Sequence, residues 1–207
     1  MPTEIVLLTG GVEGEYLANV LGQANPDLSV VCVETLEGLR DACLSSNSVE
    51  ESDAGPKRRL IAYCTDVIVP QEILDRVASP AYNFHPGPPA YPGSSAASFA
   101  IYDGARTFGV CAHEMKAKVD SGAIVGIGEF DIPENTRFTD LEILAYKQML
   151  TLFQRLAPDL ACSDQPLARI DAEWGQRKTS KADVARMKEI TADMDEDEIR
   201  LRWRAFG

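Results

Sequence analysis

The sequence is short of the residues that most often bind metals or act as nucleophiles. It has two histidines, His85 and His113, and five cysteines in 207 residues. No C-x-x-C pair occurs, so the cysteines offer neither a zinc knuckle nor a redox motif, and the two histidines form no recognisable metal pattern. Cys32, Cys64 and Cys111 lie in apolar strand-like runs, which reads as free thiols buried in a reducing compartment rather than disulfides. No G-x-S-x-G elbow is present, and Ser94-Ser95 lacks a strand-turn-helix setting, so a serine nucleophile is not indicated. Positive charge is scarce: 20 Lys and Arg stand against 32 Asp and Glu, for a net charge of -12. A nucleic acid held by its phosphates needs a basic face. The only basic clusters, "GPKRRL" and "WGQRKTSK", are short and read as solvated surface. A small-molecule partner fits this charge better than nucleic acid does. No apolar run reaches the roughly 18 residues of a membrane span. The N-terminus, "MPTEIVLLTGG", carries an acid where a secretory signal has basic residues, so a cytoplasmic protein is expected.

What is present describes a folded α/β chain. The composition is 45% hydrophobic and 25% charged, with seven Phe, six Tyr and two Trp, enough apolar mass for one domain with a short appendage. "EIVLLT" is a continuous apolar run ending in Gly10-Gly11, the pattern of a buried parallel strand feeding a turn. "EYLANVLGQA" follows at helical spacing, then "LSVVCVET" as a strand and "LEGLRDACL" as a helix. The polar segment "SSNSVEESDAGPKRR" has no periodicity and reads as a mobile loop. "LIAYC" is a third strand, "PQEILDRV" a helix with Pro in its first turn, and "AYNFH" a fourth strand. Two β-rich stretches, "FGVCAHEM" and "GAIVGIGEFDI", precede a long helix, "TDLEILAYKQMLTLFQRL". This alternation predicts a doubly wound, mostly parallel sheet. From Asp171 the chain turns polar and closes on "DMDEDEIRLRWRAFG", whose acids precede its arginines as in a capped amphipathic helix. Residues 1–170 are therefore expected to form the main domain and 171–207 a helical extension. Trp203 and Phe206 share one face of that last helix, for packing back on the domain or for a homodimer contact.

Chemistry concentrates in "YNFHPGPPAYPGSSAAS". Asn83 and His85 are two apart at a strand end, so both side chains point to one face, at the carboxyl edge where open α/β sheets place ligands. Four prolines and two glycines follow, a stiff run without helix that holds side chains still. An amide beside a neutral imidazole supplies an oxyanion donor and a proton acceptor, a pair suited to acyl transfer. A carboxylate would fix the histidine's tautomer and raise its proton affinity. Asp120, in "AKVDSGAIV", is the best placed candidate, although its spacing alone also fits an ordinary structural aspartate. The loop "TGGVEGE" matches a phosphate cradle only loosely, and Glu13 and Glu15 put negative charge there, so a plain tight turn is the simpler reading.

Asn83-x-His85-Pro86, then Pro89, Tyr91 and Gly93, then Gly109-Val110 and Asp120-Ser121-Gly122, resemble the folate-dependent formyltransferases. That family includes the methionyl-tRNA, glycinamide ribonucleotide and sugar-amine enzymes. The resemblance runs from about Leu60 to Leu152. It implies that Asn83, His85 and Asp120 form the catalytic group, that 10-formyl-tetrahydrofolate is the donor, and that no metal is needed. It further implies that the donor's pterin lies against main chain near Val67-Ile68 and along Ala117-Lys118-Val119. The chain departs from the family pattern after the histidine, with Gly87-Pro88-Pro89-Ala90 where Ser-Leu-Leu-Pro is common. Within these residues no second, barrel-like domain follows, which with the acidic charge makes initiator tRNA a poor acceptor. "AHEMKAKVDSGAIV" has the flavour of the sugar-amine branch, so the expected acceptor is an amino sugar, nucleotide-linked, or a similar small amine. His113 reads equally as a core histidine or as a member of the site. Rival readings are a hydrolase releasing formate with the same three residues, the ribonucleotide or tRNA activities, and a folate-binding module without turnover.

Overall fold

A computed structural model of the chain describes residues 1–44, 57–77 and 79–207. The order of elements is β1 (Glu4–Leu8), α1 (Gly11–Ala24), β2 (Ser29–Val33), α2 (Leu36–Leu44), β3 (Arg58–Tyr63), α3 (Gln71–Leu74), β4 (Tyr82–His85), α4 (Ala96–Tyr102), β5 (Thr107–Glu114), β6 (Ile124–Asp131), α5 (Phe138–Cys162), α6 (Lys181–Lys188) and α7 (Glu196–Phe206). The strands form one sheet in the order β2-β1-β3-β4-β5-β6. The pairings β2-β1, β1-β3 and β3-β4 are parallel, and β4-β5 and β5-β6 are antiparallel. The expected parallel sheet thus carries an antiparallel ribbon on one side, as the two adjacent β-rich stretches require with no helix between them.

Alternation along the strands divides the core into two layers. Ile5, Leu7, Ile61, Tyr63, Tyr82 and Phe84 face α1 and α5, together with Leu17, Leu21 and Phe153. Val6, Leu8, Leu60 and Ala62 face the other way, against Leu39 and Cys43 of α2 and Ile73 of α3. Both faces of β1 and β3 are therefore covered, and their sequences are apolar from Ile5 and from Leu60 onward for that reason. Beside them, β4 and β5 send Val110 and Ala112 to the α5 layer, so Asn83, His85, Cys111 and His113 face the opposite side.

Several expectations change. The segment 45–56, expected as a mobile loop, lies outside the described residues, whereas Arg58 and Arg59 begin β3. Arg59 is fully buried rather than solvated. Its guanidinium donates to the carbonyls of Leu160 at 2.6 Å, Gln165 at 3.2 Å and Asp159 at 3.3 Å. Leu160 lies in the last turn of α5, where carbonyls lack helical donors, whereas the Asp159 carbonyl also accepts from the Ser163 amide and Gln165 lies beyond the helix; a cation at this end also favours the helix dipole. The long helix runs on to Cys162 through Pro158, past the expected end at Leu156. The stiff run after His85 was expected to be free of helix through Ser98, yet α4 starts at Ala96. Its residues Ala96–Ile101 are all buried, and a helix apolar all round shows no amphipathic period. Of the cysteines, all free, only Cys43 and Cys111 are buried, while Cys32 and Cys64 are exposed.

At the C-terminus the expected capped helix is α7. Asp195 accepts from the Glu198 amide at 2.8 Å, and Glu196 and Glu198 pair with Arg200 and Arg202 one turn on. Phe206 is buried against Phe99, ring centroids 5.1 Å apart, while Trp203 is 65% exposed. The two aromatics therefore separate: one packs back on the domain and the other faces outward. Among the described residues, no helix is long and apolar enough to cross a membrane.

Candidate active site

The exposed side of β4 and β5 is roofed by loops instead of a helix. In the antiparallel register Asn83 stands opposite His113, and the Asn83 Nδ2 to His113 Nε2 distance is 3.1 Å. His113 Nδ1 lies 2.9 Å from the Glu114 carbonyl oxygen. A carbonyl only accepts, so Nδ1 carries the proton, and Nε2 of the neutral ring accepts from the Asn83 amide. An amide group has two N–H bonds, and this contact leaves the second available to the hollow. His113 is 3% exposed; it belongs to the cluster and orients Asn83.

His85 is held from its other ring nitrogen. Its Nε2 lies 3.3 Å from the Tyr91 carbonyl oxygen, so Nε2 is the protonated atom and Nδ1 of the neutral ring is the basic one. Nδ1 faces Asp120 Oδ1 at 3.9 Å, and the same oxygen is 3.5 Å from His113 Nε2. The other oxygen, Oδ2, accepts from the Gly93 amide at 2.9 Å. Asn83 and His85 of one strand and Asp120 from a later loop thus meet in one cluster, with His113 as a fourth member.

Burial and charge set the proton affinities. Burial lowers the His85 pKa below the ordinary histidine value, against the raising effect of Asp120 and of the Tyr91 carbonyl. A largely neutral base results, with an anion beside the nitrogen that would take up a proton. Burial alone would raise the Asp120 pKa. The His113 ring, the His85 charge and the Gly93 amide outweigh it, and the carboxyl is held below its usual range. It therefore stays ionised as His85 titrates.

Backbone conformation at this site is unusual. Asp120 has φ 46° and Ser95 φ 57°, left-handed values uncommon outside glycine. Gly93 has φ 100°, and a Cβ there would overlap the Thr179 carbonyl oxygen. A Cβ at Gly122 would overlap the Glu114 carbonyl oxygen. Both glycines in the motif are thus required by close approach of main chain.

The remaining expected residues flank the cluster. Ile68 is 66% and Val119 40% exposed, two bare apolar side chains on loop main chain. The Val67 amide donates to Thr65 Oγ1 at 3.1 Å. In the second loop the Lys118 carbonyl accepts from Ser121 Oγ, and the Val119 carbonyl from Lys178 Nζ. A groove of about 680 Å³ runs along Ala117, Lys118, Met115, Ser79 and Gln71. It lies beside the cluster: none of Asn83, His85, Asp120, Val67 or Ile68 lines it. Among the described residues no group of three or more His, Cys, Asp or Glu could hold a metal ion.

The basic stretch "WGQRKTSK" was expected as solvated surface: Arg177, Lys178 and Lys181 are exposed, whereas Trp174 and Thr179 pack onto the site. The Trp174 ring stands nearly perpendicular to His113, centroids 4.9 Å apart, and lies 6.1 Å from His85. Thr179 is buried and forms an isolated bridge with Gly93. Lys181 pairs with Asp66 at 3.1 Å. A solitary Trp in a polar run was the one available signal.

A six-stranded α/β sheet with an Asn–His–Asp cluster at the edge of its parallel half defines the class as that of the formyltransferase fold. Comparison with known proteins agrees. Residues 51–148 match the family model described as formyl transferase. The chain is 34% identical over 83 residues to the methionyl-tRNA formyltransferase of Rickettsia bellii (strain RML369-C). That stretch is 40% of this chain and only 27% of the relative's length. Among solved structures, a sugar N-formyltransferase from Shewanella sp FDAARGOS_354 superposes with a TM-score of 0.76 at 14% identity, over 98% of this chain and 87% of that one. An N-formyltransferase from Helicobacter canadensis, solved with folinic acid and dTDP-3-aminofucose, gives 0.68 at 16% identity, over 100% of this chain and 81% of that one. Residues 51–148 thus match the formyl transferase family model, and the chain as a whole has the fold of these solved formyltransferases.

Proposed function

We propose that the protein transfers a formyl group from 10-formyl-tetrahydrofolate to a primary amine of a small metabolite, an amino sugar. The observation that carries this reading is the convergence of Asn83, His85 and Asp120, with the amide pinned by His113 and the carboxylate held ionised. The donor supplies the activated formyl carbon. The free N–H of Asn83 would meet the negative charge that develops on the formyl oxygen when the amine adds, and one such donor is worth ~10²–10³ in rate. Nδ1 of His85, directly or through a water, would receive the proton the amine releases, and Asp120 would stabilise the imidazolium so formed.

The proposed donor segments carry exposed apolar side chains, Ile68 and Val119, that would contact the faces of a flat heteroaromatic ring, and main chain at Val67-Ile68 and Ala117-Lys118-Val119 would meet its edge. Since the Lys118 and Val119 carbonyls are already engaged, the second loop would contribute amides and the Ala117 carbonyl. The amino-sugar acceptor is supported by the Helicobacter canadensis complex, which holds dTDP-3-aminofucose. On the same reading residues 1–170 are the catalytic domain and 171–207 an extension that completes it.

The test is to incubate the full chain with 10-formyl-tetrahydrofolate and a panel of amine metabolites, nucleotide-linked amino sugars included. Tetrahydrofolate, formate and formylated product are then measured. Amine-dependent tetrahydrofolate formation that Asn83→Ala and His85→Ala abolish is expected. Donor turnover unaffected by any amine would make the protein a hydrolase, and no loss in the two variants would remove the site assignment.

A further inference from the structure

The stretch "WGQRKTSK" has no part in the chemistry above, yet it is fastened to the site at five points. Trp174 Nε1 donates to the Gly122 carbonyl at 2.8 Å. The Gly175 amide donates to the Pro89 carbonyl at 2.8 Å, and the Ser94 amide to the Thr179 carbonyl at 3.0 Å. Lys178 reaches the Val119 carbonyl and Lys181 reaches Asp66. The segments so tied are the Pro-rich loop after His85, the loop carrying Asp120, and both stretches proposed to hold the donor.

We propose that Trp174 is a positioning residue of the active site. Its N–H holds the Gly122 carbonyl, and with it the Asp120 loop, while its indole walls His85 and His113 off from water. This inference rests on the formyl-transfer reading for its kinetic consequences but not for its geometry. Two observations carry it. Asp120 sits at φ 46°, a left-handed conformation uncommon outside glycine though tolerated by aspartate, and Gly122, two residues on, is where the indole is hydrogen-bonded. Further, His85, His113 and Asp120 are between 3% and 6% exposed at a sheet face that no helix covers among the described residues, and the Trp174 ring lies 6.1 and 4.9 Å from the two imidazoles there. Water kept from the site keeps the formyl group for the amine instead of losing it as formate.

Two measurements on the full chain test this. In the first, formate released from 10-formyl-tetrahydrofolate without any amine is compared for the native protein, Trp174→Phe and Trp174→Ala. Trp174→Ala is expected to raise amine-independent formate release relative to formyl transfer several-fold. Trp174→Phe keeps the wall and loses only the N–H bond. It should keep the native partition while its turnover falls about two- to tenfold, the factor of one net hydrogen bond. Transfer and formate release falling together in both variants, with the partition unmoved, would overturn the proposal in favour of a purely structural ring. In the second, Trp203→Phe leaves Trp174 as the one indole. The His113 ring lies 4.9 Å from it, so its emission at fixed pH should change on adding His113→Asn. Emission unmoved by that substitution would overturn the contact itself. If neither protein turned over the donor, the formyl-transfer reading would fail, and the emission comparison would still decide the placement of Trp174.

Discussion

Replacing Asp120 with asparagine removes one charge and little volume, so its effect isolates electrostatics. An imidazolium at His85 and the Asp120 carboxylate are 3.9 Å apart, with side chains 7% and 3% exposed. Two unit charges at that distance interact by about 4 kcal/mol at an effective dielectric of about 20, and little solvent is present to screen them. If His85 is positively charged in the rate-limiting transition state, Asp120→Asn should lower kcat by about 10³, with KM for donor and amine almost unchanged. The pH profile gives the sign independently. Burial already holds the His85 pKa low, and Asp120 is the largest opposing influence. Its removal lowers the pKa further, so the acid limb of the rate profile, which reports neutral His85, should move to lower pH. Initial rates of tetrahydrofolate formation against pH measure both quantities. A kcat within about tenfold of native, or an acid limb displaced to higher pH, would refute the assignment of charge stabilisation to this pair.

Other perturbations test the scaffold. Arg59→Met removes the donor to the carbonyls of Asp159, Leu160 and Gln165 and should cost at least about 3 kcal/mol in urea unfolding, since hydrogen bonds to a charged group are each worth about 1.5–3 kcal/mol and exposed ends recover part of the loss from water; a loss below about 1 kcal/mol would mean the carbonyls find other partners. Gly93→Ala places a Cβ against the Thr179 carbonyl oxygen and disturbs the amide that Asp120 accepts. It should reduce both thermal stability and turnover, and a variant stable yet inactive would place its role in the site alone. Native stability should fall as pH drops just below 6.5, the ordinary histidine value, because the unfolded chain binds a proton there that folded His85 refuses; this contribution is fully present above 6.5. Chemical denaturation of His85→Gln over the same range should show a flatter slope.

The parts of the fold that announced themselves are those where one physical signal dominates. The strands β1 and β3 are apolar on both faces because helices cover both, and their runs could not be mistaken. The face shared by Asn83 and His85 follows from two-residue periodicity, and their meeting with Asp120 came from a resemblance, since spacing alone left Asp120 an ordinary aspartate. Helix α4 stayed hidden because a wholly buried helix lacks a polar stripe. Arg59 was hidden by its neighbours: in "GPKRRL" nothing separates an arginine that caps a distant helix from one in solvent. Trp174 and His113 were concealed for a related reason. Their roles come from contacts across 52 residues to Gly122 and 30 to Asn83, which no local pattern records.

The position of β4 has a consequence for how the chain is completed on the ribosome. Its parallel neighbour β3 precedes it, whereas the strand bearing His113, the loop bearing Asp120 and the segment bearing Trp174 are all made later. At ~5–20 residues per second, seconds pass between emergence of the amide and the imidazole and arrival of the groups that aim and shelter them. A polypeptide halted before His113 would therefore leave the Asn83 amide unaimed, and one halted before Trp174 would leave both imidazoles without the indole beside them.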